Sequence, residues 1–146
     1  MSRGPKRPSR FKERAFGVVA VGIGIGLVAT LVLFVVVVVR CRQFKAEFLE
    51  TAERHLGREA TIDVAAVVSA REAARELVVQ RGVRPEKLRV RLEQRDLPDG
   101  QVTHFVVLEA DVGACHGSFE RDLGQRLAPD KVAAFARAGV REYHRH

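Results

Sequence analysis

The sequence predicts an α+β protein: one N-terminal transmembrane helix followed by a small helix-helix-β-hairpin-helix domain. Three observations carry this. Residues 15–39 form an unbroken apolar run without a charged side chain. Apolar residues recur at helical spacing in Gln43–Leu56, after Ser69 and after Pro129. Between the last two, Leu88–Glu93 and Val102–Val112 read as strands around a Leu97-Pro-Asp-Gly100 turn. The expected organisation is a basic cytoplasmic tail (1–14), a transmembrane helix (15–39) and a small extracytoplasmic α+β domain (40–146).

The apolar run is AFGVVAVGIGIGLVATLVLFVVVVV. At ~1.5 Å per residue it reaches ~37 Å, against a hydrocarbon core of ~30 Å. Valine is a mediocre helix former in water, but in lipid the backbone must satisfy its own hydrogen bonds, so a helix forms. The run is too long for a cleaved signal peptide and ends Val-Val-Arg-Cys-Arg, with no small-residue cleavage site. Arg40 before Cys41 also argues against a lipoprotein cysteine. The helix is therefore expected to be retained.

Orientation follows from the flanks. The first 14 residues hold six cations: Arg3, Lys6, Arg7, Arg10, Lys12 and Arg14. Residues 40–54 hold four: Arg40, Arg42, Lys45 and Arg54. The bias places the N-terminus in the cytoplasm of a bacterial inner membrane. Its basic tail suits anionic lipid headgroups. Ala20, Gly22, Gly24 and Gly26 supply small-xxx-small pairs, a candidate packing face for a second helix in lipid.

The net charge of +7 is mostly this tail, which carries +5. Residues 15–146 carry only +2, too little for the basic stripe that nucleic-acid binding requires. A remainder of this size can bury enough surface to fold without staples.

Along the domain, Phe44, Phe48, Ala52 and Leu56 form one helical stripe, and Gly57 can end it. This helix either stands alone or continues the membrane helix. Residues 60–68 fit strand or helix equally. Ser69 and Glu72 form a capping-box pattern, predicting a helix over 70–81, with an earlier start at Asp63 as the alternative. Gly82 suits a left-handed C-cap. After the two strands, residues 113–127 show no period. Pro129 then opens a helix whose stripe runs Val132, Phe135, Ala136, Gly139, Val140 and Tyr143. A two-stranded hairpin is marginal alone. It needs the helices, a third strand from Thr61–Val68, or a partner's strand.

Candidate chemistry is thin. Cys115-His116 lacks the second cysteine of a haem-attachment motif, since position 112 is Val112. His104, Cys115, His116, His144 and His146 are zinc-ligand types without paired spacing. Neighbouring side chains on a strand point apart, so His116 does not activate Cys115. No phosphate-cradling glycine loop precedes a helix in the domain. Cys41 and Cys115 are candidates for a disulfide in an oxidising compartment, with free thiols the plainer expectation.

The expectation is a non-enzymatic, cofactor-free, single-pass protein whose domain binds another envelope protein or itself. The partners expected are the lipid bilayer and a membrane protein, with no nucleic acid and no small-molecule substrate. The alternative is a structural subunit of a larger membrane complex, contributing mainly its helix. A third is a metal- or redox-active domain. The order of basic start, single anchor and small α+β domain resembles small bitopic bacterial proteins and accessory proteins of pilus or secretion assemblies. That resemblance is architectural; no motif in Gln43–His146 carries it.

Overall fold

In the computed structural model, which describes residues 10–145 and side chains from Val21 onward, the apolar run lies inside one unbroken helix, α1 (Arg10–Leu56). The chain divides into two compact units after Val39. The described residues of the first, 10–39, are helix alone. Every described side chain from Val21 to Val37 is exposed, including Ile23, Leu27, Leu31 and Phe34. The helix is long and apolar enough to cross a membrane. A soluble helix would bury such a surface.

The second unit, residues 40–146, is mixed α and β. It contains the end of α1, then α2 (Val64–Gln80), β1 (Leu88–Asp96), β2 (Val102–Val112), β3 (Cys115–Asp122), α3 (Pro129–Arg137) and β4 (Arg141–Arg145). The strands form one sheet in the order β3-β2-β1-β4. β1–β2 and β2–β3 are antiparallel, and β4 lies parallel to β1. The hairpin expected from sequence is thus the middle of a four-stranded sheet, whose outer strands lie in stretches read there as aperiodic or helical.

Open readings resolve and other expectations change. The Phe44–Leu56 stripe continues α1, one of the two readings its spacing allowed. Residues 60–68 form no strand: α2 starts at Val64, where the Asp63 carboxylate accepts the Ala66 N–H at 2.8 Å. That is the N-cap bond, so Ser69 is interior and its capping box is not used. At the other end Gly82 takes φ 72°. Gly82 N–H donates to Val79 O and Val83 N–H to Val78 O, a Schellman closure.

α3 closes the same way, which overturns the long stripe read through Tyr143. Gly139 takes φ 81°, its N–H donates to Ala136 O, and Val140 N–H donates to Phe135 O. Val140 folds back against Phe135 in the core, and Tyr143 lies on β4. β4 carries no buried residue, so no hydrophobic alternation announces it. Its charged sequence suits an exposed sheet edge.

One face of the sheet holds the core. Phe44, Phe48 and Ala52 of α1 pack with Ala74 and Val78 of α2 and with Leu108 and Ala110 of β2. Leu56, Val67, Ala70, Leu92, Val106, Phe135 and Val140 form the second cluster. β3 lies under the α1 stripe. A Cβ on Gly117 would come within 2.8 Å of the Phe48 ring and 3.3 Å of the Phe44 ring. The aromatic stripe therefore requires a glycine at this inward position, which removes the apolar residue that would have marked the strand.

Candidate functional site

Three arrangements carry polar chemistry in the domain. The first is the Cys41–Cys115 disulfide. Cys41 is two residues past Val39, and Cys115 opens β3 after a two-residue turn. In that turn Gly113 takes φ 59° while Ala114 keeps a negative φ, the type II′ pattern. The bond ties the first turn of the domain's helix to the β2–β3 turn. Free thiols, the plainer sequence expectation, are not what the structure has: among the described residues no cysteine is free. The thiol of the Cys115-His116 pair is consumed. His116 instead pairs through Nδ1 with Asp111 at 2.7 Å.

The second arrangement is the open face of the sheet. Glu93, 4% exposed, bridges two arginines: Arg91 Nε donates to Oε1 at 2.7 Å and Arg95 Nε to Oε2 at 2.9 Å. Arg91 also donates twice to Glu109, each at 3.1 Å. Arg95 pairs with Glu120 and lies over the Phe105 ring, 4.2 Å from its centroid. Burial alone would raise the Glu93 pKa. The Arg95 hydrogen bond and charge, with those of Arg91, override it and hold the carboxyl below its usual 4.5. The Arg95 guanidinium is held charged, chiefly by its bond to Glu120.

The third is a pair of polar anchors, His104 buried and Arg121 half-buried. The His104 Nδ1 accepts the Leu127 N–H at 3.0 Å, which leaves the proton on Nε2, 2.8 Å from Glu142 Oε1. Both ring nitrogens are hydrogen-bonded, so the imidazole ties Leu127 and Glu142 to β2. Arg121 points inward from β3 to the end of α1. Its guanidinium donates to Leu56 O at 2.8 Å, Ala60 O at 2.9 Å, Arg58 O at 3.1 Å and to Gly57 O. It satisfies carbonyls that a helix terminus leaves without partners. Neither anchor was singled out for this role from sequence, since each lies far along the chain from the groups it bonds.

Of the candidate packing face, Gly22, Gly24 and Gly26 have open space where a Cβ would stand. Ala20 lies outside the residues whose side chains are described, as do Arg3, Lys6, Arg7, Arg10, Lys12 and Arg14. Among the described residues no three His, Cys, Asp or Glu side chains are grouped to hold a metal ion. His146 lies outside the described residues. No protein-family model, curated protein or solved structure matches the chain.

Proposed function

We propose that the chain is a single-pass membrane protein, anchored by residues 15–39, with residues 40–146 outside the cytoplasm mediating protein–protein interaction in the cell envelope. The observation that carries the reading is the Cys41–Cys115 disulfide, which follows the apolar run by two residues. Structural disulfides persist in oxidising compartments and are rare in the cytosol. The Lys/Arg excess before the run supports the same orientation.

Fusion of alkaline phosphatase after His146 tests the placement. The enzyme needs an oxidising compartment, so the fusion should be active, and a green fluorescent protein fusion at the same site should be dark. The reverse pattern overturns the orientation. A photo-crosslinker on the open sheet face at Ser118 should give one discrete adduct in cells. Absence of any adduct there and at Tyr143 would remove the interaction reading.

A structural subunit acting through its helix is the second reading, favoured by the uncovered glycines 22, 24 and 26. Gly22→Ile should then abolish co-purification with membrane partners, whereas under the leading reading it leaves the adduct intact.

A further inference from the structure

β4 pairs with β1 only from Arg91 onward, so Leu88–Val90 has no strand on that side. The notch left there has a volume of about 460 Å³ and is lined by Arg71, Arg89, Arg91, Arg141 and Tyr143, with no Asp or Glu on its walls. Arg91 is matched by Glu93 and Glu109. The other three are not matched. Arg71 donates to a neutral carbonyl, Ala138 O, at 3.1 Å. Among the described residues, neither Arg89 nor Arg141 has a carboxylate within 4.0 Å. Arg141 also stands directly opposite Arg91 in the β1–β4 register. Like charges in that position destabilise a sheet. Glu93 and Glu109 answer the charge of Arg91, and no carboxylate does the same for Arg141, an imbalance that a bound anion would relieve.

We propose that this notch binds a phosphate group of a ligand. One carboxylate engages one guanidinium bidentately, and it brings a single charge. Three arginines without a carboxylate partner line this one notch, and a phosphate monoester offers three acceptor oxygens and nearly two charges. Arginine rather than lysine also suits planar, bidentate contact with phosphate oxygens. The group can arrive on a soluble ester or on a phosphatidic-acid headgroup.

The chain provides its own reporter. Tyr143 is its single tyrosine and there is no tryptophan, so tyrosine fluorescence reads the notch directly. The full chain in a non-absorbing detergent is titrated with glycerol 3-phosphate at fixed ionic strength. Nanodiscs with phosphatidic acid, against phosphatidylcholine alone, form the lipid arm. A saturable change is expected in at least one arm, and which arm responds names the source. Arg89→Gln with Arg141→Gln should weaken it about tenfold or more, as expected for lost charge-assisted hydrogen bonds. Arg141→Gln alone should raise the melting temperature without ligand, because it removes the facing charge. If Arg141→Gln does not fold, the exposed Arg89→Gln carries the test. A response equal to that of acetate overturns the proposal. So does one that survives both substitutions. Tighter binding of a glutamate-rich peptide than of either phosphate probe also overturns it, and assigns the notch to an acidic protein segment.

Discussion

Removing the Cys41–Cys115 bond should cost the domain about 4.5 kcal/mol. The bond joins residues separated by 74 positions, enclosing the end of α1, all of α2 and the β1–β2 hairpin. In the chain-entropy estimate a 15-residue loop is worth ~3 kcal/mol and a 100-residue loop ~4.7, so this loop lies near the upper value. Cys115 also packs against the cluster of Phe44, Phe48 and Leu108, so its release loosens the contact between α1 and β3. The assay is thermal unfolding of the full chain in detergent, followed by Tyr143 fluorescence, oxidised and reduced. For a domain of this size the loss is a fall in Tm on the order of 20 °C. Cys41→Ala, Cys115→Ala and the double variant should lose the same amount, because either substitution removes the whole bond. A Tm that moves by less than about 3 °C on reduction, or two single losses that add, would refute the reasoning.

Gly117→Ala should destabilise by roughly 1–3 kcal/mol, since the new methyl meets the Phe48 ring; chemical denaturation checks this, and Phe48→Leu in the same chain should recover part of the loss. Arg121→Met should cost about 2–3 kcal/mol by orphaning carbonyls at the end of α1, and hydrogen exchange should rise locally in residues 56–60. The Glu93 carboxyl has its folded pKa below the usual 4.5, so its ionised form favours the folded state. That contribution is complete above the unfolded value and is lost as pH falls below about 4.5. Glu93→Gln should therefore flatten the stability profile between pH 5 and about 3, read by denaturation midpoints across that range.

The middle of the domain was legible because burial wrote it into the sequence. β2 turns Val106, Leu108 and Ala110 into the core, and the Phe44–Leu56 stripe faces the sheet as its spacing implies. β3 was not legible for an opposite reason. Two of its inward positions are Gly117, emptied for two aromatic rings, and Arg121, which serves a helix end contributed from 65 residues away. Those choices answer to α1 and make sense only once α1 lies on the strand. β4 is exposed along its whole length and has no pattern to read. Its one sequence signal was Gly139, which, taken as the C′ residue of a Schellman motif, ends α3 and frees the last residues for a strand. The four arginines around the notch come from α2, β1 and β4, so no local window contains them. The pairing of Cys41 with Cys115 depends on the two-residue β2–β3 turn, and that turn was hidden with β3.

Differential alkylation in intact cells tests the central claim most directly, that an envelope-facing domain is closed by one disulfide. Free thiols are first blocked with N-ethylmaleimide, the cells are then treated with a reductant, and a polyethylene-glycol maleimide is added last. The chain has two cysteines. The account predicts two mass increments after reduction and none when the reductant is omitted. Loss of both labels to the first block, with or without reduction, would mean free thiols and would contradict it.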